Sequence, residues 1–218
     1  MRTVFDSKLE LLNAMMLVMG SAMEEAIMTS TNLLDTRSID AAEAVVKGDD
    51  EIDSLEREIE ALCMKLLLTQ QPVASDLRHV SAALKMVGDM ERIGDQAADI
   101  AEVIMTLEGE LEPQLYKHIK KMGEQGCKMV HDAVQSYVDS DREKAALVIE
   151  EDLHMNELFD KAKWDITEGI QRGSDNAGNL VDALMIAKYL ERVGDHAKNI
   201  AEWVEYSLVG RYKGEIIG

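Results

Sequence analysis

Glu91, Asp95, Asp99 and Glu102 follow one another at intervals of four, four and three residues. On a helix that spacing puts all four side chains on one stripe. One hundred positions later Glu191, Asp195, Asn199 and Glu202 repeat the stripe. A shorter pair precedes each: Asp49 and Asp53 beside Ile52, then Asp152 and Asn156. Carboxylates at i and i+4 repel by a few tenths of a kcal/mol per exposed pair. A multivalent cation between them removes that repulsion. The donors are all oxygen, which favours Mg²⁺, Ca²⁺, Mn²⁺ or iron over metals that prefer sulfur. In a chain with 42 Asp and Glu, one such pair is ordinarily a solvated helix face. Four pairs at equivalent places in two halves point instead to cation binding.

Other side chains carry less. Arg92 and Arg192 follow the first Glu of each stripe, either as partners of the acids or as surface cations. Glu151 and His154 form one ExxH, whereas a di-iron bundle needs two plus two further Glu. His79, His118, His131 and His196 fall singly. Met15, Met16, Met19 and Met23 lie on an apolar seam and read as adaptable core. Cys63 and Cys127 have no metal-site or redox-motif spacing and read as reduced core thiols. No nucleophile elbow, Walker loop or dinucleotide fingerprint is present.

The elements that must position the acids are long helices. Phe5, Leu9, Leu12, Met16, Met19, Met23, Ala26, Ser30 and Leu33 alternate gaps of four and three, the rhythm of a helix with a coiled-coil-like seam. Ser38 or Asp40 can cap the second helix, which runs from Val45 through Leu66 to Gln70. Pro72 can open the third from its first turn, with Val80 to Ile104 on its seam. The segment GELEP at Gly109–Pro113 divides the chain, and the pattern restarts. Leu115–Tyr137, Ala145–Ile166 and Leu180–Val204 supply helices four to six, with Gly173–Asn179 as the last loop and a frayed tail from Gly210.

MERIGDQAADIAE at Met90–Glu102 against LERVGDHAKNIAE at Leu190–Glu202 marks an internal duplication. The expected fold is all-α: two tandem, pseudo-symmetric, antiparallel three-helix bundles, over residues 1–109 and 113–210, with a tail at 211–218. Gly94 and Gly194 sit on the inner seams, where a missing side chain lets a neighbouring helix approach. Because mid-helix Gly costs about 1 kcal/mol against Ala, its recurrence suggests a packing need.

Composition narrows the function. A formal charge of −19 is wrong for binding nucleic-acid phosphates and suits metal cations or a basic partner surface. The most apolar stretch, Ala14–Met23, is too short to span a bilayer, and the N-terminus lacks a signal-peptide layout. A cytoplasmic protein is expected.

The segments QQPVASDLR at Gln70–Arg78, DDEIDSLE at Asp49–Glu56, MERIGDQAADIAE, and YLERVGDHAKNIAEWV at Tyr189–Val204 together resemble the PhoU family of phosphate-signalling regulators, over essentially the whole chain. The resemblance implies two three-helix bundles whose E/DxxxD motifs hold metal ions or multinuclear clusters. It places Asp49, Asp53, Glu91, Asp95 and Asp99 around a first site, and Asp152, Asn156, Glu191, Asp195 and Asn199 around a second. The implied occupants are divalent or trivalent ions: iron, zinc, magnesium or manganese. It further implies a non-enzymatic negative regulator at the membrane's cytoplasmic side. Its partners would be the nucleotide-binding subunit of a phosphate ABC transporter and a phosphate-sensing histidine kinase. Long exposed bundles also suit a homodimer. The first set has five carboxylates and the second three plus two amides, so the first is expected to bind a cation more tightly. The alternatives are a metal-dependent hydrolase or oxidase, a metal store, and a scaffold whose acidic stripes face water.

Overall fold

Six helices follow in chain order in the computed structural model, which describes residues 2–70, 72, 74–109, 111–173, 177–213 and 215–216. They are α1 (Arg2–Thr36), α2 (Ile39–Gln70), α3 (Ala74–Thr106), α4 (Pro113–Asp139), α5 (Arg142–Gln171) and α6 (Ala177–Val209). Each helix of the first three packs on the other two, and the same holds within the last three. The bundles join side by side, α1 against α4 and α3 against α6. Thus α1, α3, α4 and α6 form the middle of the molecule, with α2 and α5 flanking it. The α2/α3 and α5/α6 seams therefore carry the acidic stripes.

The seams read from the sequence are the core. Leu12, Met16, Met19, Met23, Ile52, Ile59, Met86, Met90, Ile119, Met122, Met155 and Leu190 are fully or almost fully buried. By length and composition alone, Val4–Thr36 passes for a helix able to cross a membrane, although no stretch within it free of charge is that long. Its inward face packs on α2, α3 and α4. Cys63 is buried and Cys127 half-buried, both free thiols. Burial pushes the Cys63 thiol up to about 12.

Local rules set the turns. The Ser38 hydroxyl accepts from the Ala41 N–H at 3.2 Å, capping α2. Asp141 caps α5 through the Lys144 N–H at 3.0 Å, and Pro113 opens α4 as its first residue. Pro72, by contrast, lies outside α3, which begins at Ala74 with a positive φ of 48°. Within the loop before α6, residues 174–176 lie outside the described part. One link had no sequence signal: the Arg37 guanidinium donates to the carbonyls of Ile104 (2.8 Å), Leu107 (3.4 Å) and Gly109 (2.9 Å). It thereby ties the last turn of α3 and the residues just after it to the α1–α2 turn.

The tail differs from expectation. Arg211–Tyr212 pairs antiparallel with Glu215–Ile216, and the Tyr212 ring stacks on Trp203 at 3.9 Å between centroids. An aromatic contact of this kind is what holds the segment against α6 instead of letting it fray.

Candidate functional site

The first acidic cluster is set by how closely α2 approaches α3. A β-carbon on Gly94 would meet Ile52 Cδ1 at 3.0 Å and Asp49 Oδ1 at 2.8 Å. Glycine is thus what allows the Asp49 carboxylate to lie against the α3 backbone. Its Oδ1 is buried and has no hydrogen-bond partner. Burial, then the like charges of Asp95, Asp53, Asp50 and Asp99, push the Asp49 carboxyl up to about 6. No Lys, Arg or His among the described residues pairs with it.

About one turn away from that pair of residues, antiparallel packing brings Asp53 near Glu91. Desolvation raises the Glu91 carboxyl, and Asp95, Glu56 and Asp53 add to the shift against Arg92. Burial and the neighbouring Asp95 and Glu102 raise Asp99 as well. Asp49, Asp53, Glu91, Asp95 and Asp99 therefore share one electrostatic neighbourhood. The outer members lean toward exposed cations: Arg92 Nη1 lies 2.8 Å from Asp95 and its Nε 3.4 Å from Glu91, while Arg57 lies 3.5 Å from Asp53. Glu56 belongs to this cluster although sequence reasoning passed over it. Its signal was available, three residues after Asp53 on the same α2 face.

The second cluster is built differently. Asp152 is 3% exposed. Its Oδ2 accepts from Lys198 Nζ at 2.7 Å and from the Asn156 amide at 3.3 Å, while its Oδ1, like that of Asp49, is buried without a hydrogen-bond partner. Burial, then Glu191 and Asp152, raise Asp195, with Lys188 and His196 opposing. Glu191 pairs with Lys188. Asn199 is not gathered with these groups: its amide donates to Asp89 of α3 at 3.1 Å, beside His196 Nδ1 at 2.8 Å from the same oxygen. Gly194 is filled by Met155, whose Cγ lies 2.9 Å from where a β-carbon would stand.

As the side chains stand, no three of the described His, Cys, Asp and Glu residues surround a point where one ion could be held. In kind and position, however, the first cluster fits a hard multivalent cation. It has all-oxygen donors, a buried unpaired carboxylate oxygen and an excess of like charge. To close on an ion its carboxylates would turn inward from Arg92 and Arg57.

The sequence and fold have close counterparts. The PhoU domain model matches residues 16–104 and again 119–204. This chain belongs to the PhoU family. A Clostridium acetobutylicum relative is 35% identical over 211 residues, spanning 96% of both chains, and carries the name phosphate-specific transport system accessory protein PhoU homolog. A Thermotoga maritima PhoU homolog is 32% identical, across 98% of this chain and 92% of its own. The crystal structure of PhoU from Pseudomonas aeruginosa superposes with a TM-score of 0.89 at 32% identity, covering 95% of this chain and all of that one. PhoU from Streptococcus pneumoniae, a phosphate transport system regulatory protein, gives 0.88 at 25% identity, covering 95% and 98%. The two matched PhoU segments coincide with the duplication seen in the sequence, and the solved relatives share its two-bundle fold.

Proposed function

We propose that this PhoU-family chain is a non-enzymatic accessory of phosphate transport that works as a metal-binding negative regulator. In this reading it is a cytoplasmic adaptor between the nucleotide-binding subunit of a phosphate ABC transporter and a phosphate-sensing histidine kinase. Family membership supports the accessory role. The observation that carries the metal-binding part is Asp49, a carboxylate packed into the space of Gly94 with one oxygen buried and unpaired.

Asp49, Asp53, Glu91 and Asp95 would hold the ion, with Asp99 beside them. A bound iron, zinc, magnesium or manganese ion would supply the positive charge that this cluster lacks. The residues themselves do the rest: two come from α2 and three from α3, so any common ligand ties those helices together. A rigid body with a net charge of −19 suits docking on basic partner surfaces. The enzyme alternative gains nothing from its best motif: Glu151 is engaged by Lys128 and Gln125, and His154 stands 3.9 Å from Glu157.

A homodimer through α1 also has support. Leu11, Leu17 and Val18 are exposed, whereas the corresponding α4 positions are Gln114, Lys120 and Lys121. The bundle does not require that apolar stripe, and the run Leu11–Met23 carries no charge to repel a second acidic copy. Sedimentation of Leu11→Lys/Val18→Lys against the parent chain tests it; identical mass distributions would remove the dimer.

The central test is capture from phosphate-replete and phosphate-starved cells, with element analysis of the recovered protein. Metal together with transporter and kinase is expected, both diminished for Asp49→Asn/Asp95→Asn. Partner capture unchanged in that variant would detach metal from regulation, and metal-free parent protein would end the metal reading.

A further inference from the structure

The repeats diverge where their acids meet cations. Aligning the two stripes places Lys188 opposite Gly88 and Lys198 opposite Ala98. Each added lysine has found an acid of the second cluster: Lys198 lies 2.7 Å from the nearly buried Asp152, and Lys188 pairs with Glu191. Lys198 also feels Glu202 and Asp195. Nearby, Lys213 Nζ stands 3.5 Å from Glu202 Oε2. Among the described residues, the ion pairs on the proposed first-cluster ligands come from the exposed guanidiniums of Arg57 and Arg92; Arg192 of α6 opposes the rise of Asp99 without pairing with it, and Asp49 has no cation. Arg92 has its counterpart in Arg192, whereas Lys188 and Lys198 have no basic counterpart in the first half.

We infer that the second acidic cluster is a cation site already filled by the chain's own Lys198 ammonium, with Lys188 at its rim, so that only the first cluster takes a metal ion. This rests on the metal-binding reading of the first cluster. An ammonium at hydrogen-bond distance from a buried carboxylate answers that charge locally. A metal entering there would have to displace it and then face a second positive charge at close range, in surroundings where screening is weak. The asymmetry thus goes beyond the exchange of carboxylates for Asn156 and Asn199. The second half keeps the helix-to-helix tie but makes it permanent, independent of metal supply, while the first half depends on an ion.

The test is bound Mn²⁺ per chain, measured by element analysis after gel filtration, in variants checked for native helicity. Asp49→Asn/Asp95→Asn is expected to lose nearly all the metal, and Asp152→Asn almost none. Lys188→Ala/Lys198→Ala is expected to raise bound metal about twofold. The increment should vanish when Asp152→Asn is added, and Lys198→Arg should keep the parent value. Lys198→Met, which retains the aliphatic stem, replaces alanine where folding suffers. Loss of half the parent's metal in Asp152→Asn, or no gain on removing both lysines, would overturn the inference. A parent chain that binds no Mn²⁺ while the lysine variant does would overturn the first-cluster reading and leave the lysine's role standing.

Discussion

The Asp49 carboxylate occupies the space that a side chain at position 94 would take, with Oδ1 2.8 Å from the β-carbon Gly94 lacks. Gly194 serves the same packing purpose but faces Met155, not an acid. One glycine position, duplicated, therefore does two jobs in one bundle and one in the other. Gly94→Ala and Gly194→Ala should each destabilise by about 1–2 kcal/mol, overpacking outweighing the gain in helix propensity. Urea unfolding measures both. Only Gly94→Ala should also weaken metal binding, because only there must a proposed ligand move.

Asp49 makes the stability of the metal-free protein depend on pH. Its carboxyl is raised from 3.8 to about 6, chiefly by burial. Folding then favours the protonated form. The contribution is full below 3.8 and is lost as pH rises through about 6. Glu91, Asp99 and Glu56 shift in the same direction. The urea midpoint of the metal-free chain should fall across that window, and Asp49→Asn should flatten the fall. An equal slope in the variant would assign the effect to other groups.

His79 works with the opposite sign. Its ring stacks on Tyr137 at 4.2 Å, and the Tyr137 hydroxyl donates to the His79 carbonyl at 3.0 Å. Burial lowers the imidazole below 6.5, so the unfolded chain takes up a proton first and stability drops as pH falls through that value. Thermal melts of His79→Phe should lose this acid-side drop. Tyr137→Phe should cost about 1 kcal/mol at any pH, the worth of one buried hydrogen bond.

Arg37 is a tie across the first bundle, from the α1–α2 turn to the end of α3. Arg37→Ala should cost about 1–2 kcal/mol because charge-assisted bonds to carbonyls are stronger than neutral ones. Hydrogen exchange should quicken at the last turn of α3 before it does elsewhere; uniform exchange would show that the tie is not local.

The C-terminal strand pair should be readable by fluorescence. In a Trp164→Phe background, Tyr212→Ala should shift Trp203 emission to the red and cost about 0.5–1.5 kcal/mol, the range for an aromatic pair. An unchanged spectrum would mean the stack does not persist in solution.

Much of this was legible in residue order. Gaps of three and four from Phe5 to Leu33 require a helix with one apolar face, and that face is the core. The copied Gly-Asp pair announced both the duplication and the close approach of a neighbouring helix, which the fold identifies as α2 at Gly94. Cap chemistry at Ser38, Asp141 and Pro113 also follows from local rules. Pro72 was less informative, because a proline suits either a first helical turn or the residues just before one. The tail pairs where fraying is expected, because short strands have little intrinsic signal and Tyr212 is held by Trp203.

The sequence alone determined the helices, their inward faces, the two-fold repetition and which residues are acidic. Those follow from periodicity, which is local. Tertiary structure decided which acids meet. Asp49 faces Asp95 across two helices, Asn199 turns to Asp89 on the other bundle, and Lys198 reaches Asp152 over 46 residues of chain. Residue spacing places a side chain on a stripe of its own helix. Only the docking of a second helix fixes what stands opposite it, and with that how its charge is answered.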